Sequence, residues 1–192
     1  MKALIITDLH SWTNEEYQIT KELTGYDICF LLGDISIEYL KQLQAIIHAP
    51  IYGLNGNHDS NNIEKAGITN IHGKCIEVNG IKFSGMQGSI RYKRGPYNTY
   101  TQEESIEISR TLEKADVLLT HAAAFDTQST NIAHVGLKGI LEYIEENQPR
   151  LHIHGHLHIN RNKMIRNTNS ISVYKAAVID LETEEIEILY KD

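Results

Sequence analysis

Five short clusters hold the residues able to do metal or phosphate chemistry: Asp8-Leu9-His10, Gly33-Asp34, Gly56-Asn57-His58-Asp59, Thr120-His121 and Gly155-His156-Leu157-His158. In extended backbone, residues i and i+2 point the same way. Asp8 and His10 can therefore clamp one ion together, and His156 and His158 can face one cleft. Glycine beside three of the clusters permits tight turns and close backbone approach. The donors mix carboxylate, imidazole and amide. Such a set suits Mn²⁺, Fe, Co²⁺, Ni²⁺ or Zn²⁺ better than an all-oxygen Ca²⁺ or Mg²⁺ cage. A single Asp-x-His or Gly-Asp alone is more often a turn or a strand end than a ligand group, and only the five together point to a metal site.

Each cluster follows a short apolar, β-prone run: residues 2–7, 28–32, 51–54, 117–120 and 151–154. These runs show little polar alternation, as strands covered on both faces do. Helical patterns lie between them, near 14–24, 36–48, 101–115 and 137–147. Thr101-Gln102-Glu103-Glu104 is a capping box, and Pro149 closes the helix ending near Asn147. Strand–helix alternation predicts parallel βαβ units, whose strand ends converge on one sheet edge where ligands bind. Two regions break the rhythm. Residues 75–86 read as a hairpin turning on Asn79-Gly80. Residues 161–190 read as three antiparallel strands, about 161–166, 171–180 and 185–190, by their period-2 patterning. The expected fold is α/β with α+β character: two facing mixed sheets forming a β-sandwich, flanked by helices in an α/β/β/α order. It is expected to be a single domain over residues 1–192.

With 192 residues and 41% hydrophobic content, the chain can bury one good core and is short for two. A net charge of -7 argues against a dedicated binder of long nucleic acid, which needs a basic face. Cys29 and Cys75 make no disulfide framework, and no run is long enough for a signal peptide or a membrane span. The expected setting is cytoplasmic. The oligomeric state is not legible in the sequence.

The ordered set Asp-x-His, Gly-Asp, Gly-Asn-His-Asp, Thr-His and Gly-His-x-His resembles the calcineurin-like metallophosphoesterase superfamily, in a compact bacterial-type form, from Asp8 to His158. The resemblance implies one metal on Asp8, His10, Asp34 and His158. It implies a second on Asp34, Asn57, His121 and His156, with Asp34 bridging. Catalysis would fall to His58 and Asp34, with Asn57 and His58 also meeting the substrate. Two divalent ions, two carboxylates and a bridging hydroxide sum to +1, so the site attracts phosphate in an acidic protein. The hydroxide would attack a small phosphodiester or phosphomonoester. An open site without a cap domain suits a diester. A nuclease acting on nucleic-acid ends and a catalytically weak metal-binding scaffold are the alternatives. Phosphoprotein phosphatases of this superfamily carry Gly-Asp-x-x-Asp, the last Asp orienting the catalytic histidine. Here that position is Ile37, so Asp59 or a backbone carbonyl is expected to substitute.

Among the remaining histidines, His152 and His154 share the parity of His156 and His158 but precede the glycine. His154 is expected to pack in the strand or behind the metal ligands, with direct substrate contact as the alternative, and His48, His72 and His134 to lie on the surface or in loops. Residues 85–100 hold Arg91, Lys93, Arg94 and three tyrosines in a Gly/Pro-bearing stretch. It reads either as a solvated connection or as a substrate loop whose cations meet phosphate. Residues 122–135 are a second candidate rim loop.

Overall fold

A computed structural model describes residues 1–92, 97–126 and 128–190. In chain order the elements are β1 (Lys2–Thr7), α1 (Asn14–Glu22), β2 (Ile28–Leu31), α2 (Ile37–Ile46), β3 (Ile51–Gly53), α3 (Asn62–Lys65), β4 (Thr69–Asn70) and β5 (Cys75–Val78). There follow β6 (Ile81–Met86), β7 (Ser89–Ile90), β8 (Thr99–Tyr100), α4 (Gln102–Ser109) and β9 (Val117–Thr120). A 3-10 turn at Ile132–His134 then leads to α5 (Lys138–Asn147), β10 (Leu151–His154), β11 (Arg161–Ile165), β12 (Thr168–Ser172), β13 (Lys175–Asp180) and β14 (Ile186–Ile188).

Two six-stranded sheets form, in the orders β14-β13-β1-β2-β3-β4 and β11-β12-β10-β9-β6-β5. Strands β1 to β4 run parallel, as do β6, β9, β10 and β12, while β13, β14, β5 and β11 are antiparallel additions. Between the sheets lies a core that includes Ile5, Phe30, Phe83, Leu119, Ile153 and Ile179, with the Phe30 and Phe83 rings 4.8 Å apart. Because neighbouring residues of a strand face opposite ways, Leu4, Ile6 and Leu31 instead meet Leu40 and Leu43 of α2. On the far side, Met86 and Leu118 meet Ile140 and Ile144 of α5. The layers are α/β/β/α, and the expected fold class holds.

Local chemistry sets the element ends. Thr13 and Glu16 make a capping box on α1, and Thr101 and Glu104 make another on α4. Asn79 and Gly80 both take positive φ, which a two-residue hairpin of this hand requires, and Val78 pairs Ile81. One expectation is corrected. The segment 171–180 is not one strand: β12 pairs β10 in the second sheet, and β13 pairs β1 in the first. The break falls where Lys175 adopts φ +64°, which no continuous strand accommodates. No helix among the described residues is long and apolar enough to cross a membrane.

Candidate metal centre

The five clusters sit just beyond the carboxyl ends of β1, β2, β3, β9 and β10. Backbone bonds tie these ends across both sheets: Asp8 N–H donates to the Gly33 carbonyl at 3.0 Å, and Gly155 N–H to the His121 carbonyl at 3.1 Å. His156 N–H donates to Asp8 Oδ2 at 2.8 Å. A Cβ on Gly56 would overlap Asp34 Oδ1, and one on Gly155 would lie 2.5 Å from Asp8 Oδ2. Both positions leave room only for glycine. Four of the candidate ligands also hold left-handed backbone: Asp8 (φ 52°), Asp34 (55°), His156 (69°) and His158 (53°). Each costs on the order of 1–3 kcal/mol, a burden that clusters at functional sites.

Two groups of donor atoms result. Asp8, His10 and His158 form one, and Asp34, His121 and His156 the other, with all donor atoms of a group within 4.8 Å of one another. In the first, Asp8 Oδ1 is 3.3 Å from His158 Nε2, and His10 Nε2 is 3.4 Å from the same nitrogen. In the second, His121 Nε2 is 3.4 Å from Asp34 Oδ2 and 3.1 Å from Asn57 Oδ1. Second contacts fix which ring nitrogens are free. His121 donates Nδ1–H to the Leu32 carbonyl at 2.7 Å, and His156 donates Nε2–H to the Ala133 carbonyl at 2.8 Å. The opposite nitrogen of each ring then faces the cluster and offers its lone pair when the ring is neutral, the arrangement that outer hydrogen bonds impose on metal-ligating histidines. Asp8 Oδ2 accepts from Thr7 Oγ1 and His156 N, whereas the buried Oδ1 has no hydrogen-bond partner among the described residues. Converging lone pairs and an orphaned carboxylate oxygen are what a cation would satisfy. The residues fit a metal.

The electrostatics agree. Burial pushes the Asp34 carboxyl upward, but His121 and the N–H and imidazole of His58 outweigh it and hold it well below the usual carboxylate range. For Asp8, burial is likewise the largest influence and is outweighed, here by His158 and His121, leaving it lowered. Burial depresses His121, yet Asp34 and Asp8 carry it up to about 10. Asp8 raises His158, while burial and His121 take His156 down to about 4. The cluster therefore holds Asp8 and Asp34 strongly as anions and draws compensating positive charge onto His121 and His158, while His156 stays neutral.

Asp8, His10, Asp34, Asn57, His121, His156 and His158 are all brought to these groups or into contact with them. His58 joins through its backbone, donating N–H to Asp34 Oδ1 at 2.9 Å, and its exposed ring lies 6.2 Å from that of His10. The support expected from Asp59 is corrected: its carboxylate accepts from Asp34 N and Gly56 N, both at 2.7 Å, and from Asn62 Nδ2 at 2.9 Å. Asp59 braces the loop and does not orient the His58 ring. The substrate role expected of Arg91 does not follow from its surroundings, because its guanidinium is taken up by Glu104 at 2.8 Å and the Thr99 carbonyl at 2.9 Å. Lys93 and Arg94 lie outside the described residues.

The 85–100 stretch contributes Asn98 instead, whose Nδ2 donates to the Gly56 and Asp59 carbonyls. His134, expected on the surface or in a loop, lies in the loop turn at Ile132–His134 and there packs 5.1 Å from the His156 ring and 6.4 Å from that of His158. Tyr174 covers His158 at 5.2 Å. Neither residue has neighbours in the sequence that would have flagged it.

The profile of the Calcineurin-like phosphoesterase superfamily domain matches residues 1–174. A Methanocaldococcus jannaschii protein, MJ1162, is 26% identical over 181 residues, covering 84% of this chain and 82% of that one. Among solved structures, TT1561 of Thermus thermophilus superposes with a TM-score of 0.68 at 14% identity, covering 97% of this chain and 96% of that one. Phosphopantetheinyl hydrolase (PptH) of Mycobacterium tuberculosis gives 0.61 at 13%, covering 91% and 89%. A structure described as a novel archaeal phosphodiesterase gives 0.54 at 15%, covering 97% and 98%. With the profile spanning nearly all of the described sandwich and every motif at its strand ends, the chain belongs to the calcineurin-like phosphoesterase superfamily.

Proposed function

We propose that the chain is a hydrolase of small phosphodiesters or phosphomonoesters that works with two divalent transition-metal ions. The observation that carries this reading is the pair of adjoining donor groups, in one of which the buried Oδ1 of Asp8 makes no hydrogen bond among the described residues and lies 3.3 Å from His158 Nε2. Asp8, His10, Asp34 and His158 would hold one ion, and Asp34, Asn57, His121 and His156 the other. When bound, the metals supply Lewis-acid stabilisation of phosphoryl charge and a water acidic enough to ionise near neutral pH. The chain's own part is to fix geometry. Asp59 and Asn98 brace the 56–59 loop, the loop amide of His58 braces Asp34, and the His58 ring stands at the exposed rim. There it can meet a phosphoryl oxygen or protonate the leaving group.

The donor set favours Mn²⁺ or Fe, with Zn²⁺, Co²⁺ and Ni²⁺ as the other fits. A net charge of -7 favours a small substrate over long nucleic acid. The free thiols Cys29 and Cys75 support a reducing, cytoplasmic setting.

The test is turnover of p-nitrophenyl phosphate, bis-p-nitrophenyl phosphate and cyclic nucleotides by protein stripped of metal and reloaded with Mn²⁺. Asp34→Ala is expected to lose both ions and all activity. His58→Ala is expected to keep both ions and slow kcat by roughly 10²–10⁴-fold, the usual range for a lost proton-transfer group. Two bound ions without turnover of any substrate would point to a scaffold and sink the hydrolase reading.

A further inference from the structure

A second set of polar groups lies on the outward face of the β11–β12–β10 edge, apart from the metal cluster. Strand register lays Arg161, Ser172 and His154 in one row across three strands, and Lys163, Ser170 and His152 in the next. Helix α5 covers this sheet over β6 and β9, through Ile140 and Ile144 on Met86 and Leu118. Beyond it the cover is the segment of residues 123–126 and 128–134, and a cavity of about 630 Å³ remains between that segment and the sheet.

Its floor is polar and incompletely paired. Ser172 is 2% exposed, and its hydroxyl has no hydrogen-bond partner among the described residues. His154, 4% exposed, uses Nδ1–H on the Gly155 carbonyl at 3.0 Å, which leaves the Nε2 lone pair for a donor. Lys163 is paired with Asp126 at 3.0 Å, whereas the Arg161 guanidinium makes no ion pair or hydrogen bond among the described residues, although its charge reaches Asp126 and His154. Polar and apolar side chains share the walls: Asp126, Gln128 and Asn131 stand beside Phe125, Ile165 and Ile159, the last 39% exposed. A buried hydroxyl without a partner beside apolar side chains and a free cation is the mixed lining of a ligand pocket. The cavity also adjoins the metal cluster, because His134 lines it while packing against His156 and His158.

We propose that this cavity is the subsite for the organic arm of the phosphoester, and that the arm is amphipathic and ends in an oxyanion, a carboxylate or a phosphate. The apolar part lies against Phe125, Ile159 and Ile165. The oxyanion pairs with the Arg161 guanidinium, which offers a planar fork of donors, and accepts from the Ser172 hydroxyl. A hydroxyl or N–H of the ligand donates to His154 Nε2. The assignment of the arm as substrate rests on the hydrolase reading, but the binding chemistry does not.

The test uses three probes of one ring system: 1-naphthalenesulfonate, 1-naphthoate and the neutral 1-naphthalenemethanol. Each is titrated into the Zn²⁺-loaded full chain and into the metal-stripped chain, with amide shifts followed by NMR. Both anions are expected to shift amides of β11, β12 and residues 128–134 in both forms, and to bind at least ten-fold more tightly than the alcohol. Arg161→Ala and Ser172→Val should each weaken the anions, the first by at least ten-fold, with little change for the alcohol. Arg161 is exposed, so its loss leaves the fold intact. Preference for sulfonate over carboxylate would assign a phosphate terminus, and the reverse order a carboxylate. Equal binding of alcohol and anions, shifts confined to the metal cluster, or no binding would overturn the proposal. If the probes bind as expected but the same preparation hydrolyses no phosphoester, the hydrolase reading fails and the anion cavity stands.

Discussion

At the scale of residues, the site depends on a few side chains that touch no candidate ion. Asp59 is the clearest. It accepts from the amides of Asp34 and Gly56 and from Asn62, and burial beside Asp34 raises its carboxyl to about 6. Asp59→Ala leaves two buried amides without an acceptor, at about 1–3 kcal/mol for each unsatisfied group. The expected outcome is a fall in Tm together with weaker metal binding, because Asp34 loses its backbone anchor. Asp59→Asn keeps an acceptor oxygen and should recover part of both. Calorimetric melting and a metal titration on the same samples check this, and a melting loss with unchanged metal affinity would separate Asp59 from the site. Ile37 shows the other side of the pattern. It opens α2 as a helical residue, and the described residues give the His58 ring no carboxylate partner in its place.

At the scale of elements, the strand ends are strained, while α1 and α4 start with capping boxes. The α1 capping box is the more informative of the two. Glu16 accepts from Thr13 N at 2.7 Å and pairs with Lys175 at 3.1 Å, which joins α1 to the start of β13. Burial pushes Glu16 up, but the Thr13 amide and the Lys175 ammonium prevail and hold it below the usual 4.5. A carboxyl lowered on folding stabilises the fold fully above its unfolded value, and that stability is lost as pH falls through the folded value. Stability should therefore decline from about pH 5 downward, and Glu16→Gln should flatten part of that decline while keeping the cap's acceptor. Denaturant titrations in chelator at pH 7, 5 and 4 measure it. An unchanged slope in the variant would show that Glu16 titrates alike in both states.

At the scale of the molecule, the two sheets share one core and one rim, so metal binding and folding are coupled. The donors come from both sheets, with Asp8, Asp34 and Asn57 on one and His121, His156 and His158 on the other. Unfolding disperses them, and ions that bind only the folded chain stabilise it by mass action, about 4 kcal/mol at a thousand times Kd. Chelation should lower Tm, and Tm should then climb with the logarithm of added Mn²⁺. Scanning calorimetry at several metal concentrations checks this. A Tm indifferent to metal would mean that the donor groups do not bind it.

The sequence by itself determined the layered α/β/β/α fold, the parallel strands and the residues that gather at their ends. Those features are local. Apolar runs set the strands, and the polar residue just after each run goes wherever the strand's carboxyl end goes. Other features were settled only by tertiary structure, because they depend on which edge meets which. The stretch 171–180 alternates like one strand, yet it divides between two sheets at a left-handed Lys175. His134 looks like any loop histidine until the turn at 132–134 lays it on His156. Arg91 looks unpaired in the sequence, and only the fold brings Glu104 of α4 to its guanidinium. The row of Arg161, Ser172 and His154 exists only once β11, β12 and β10 have found their register.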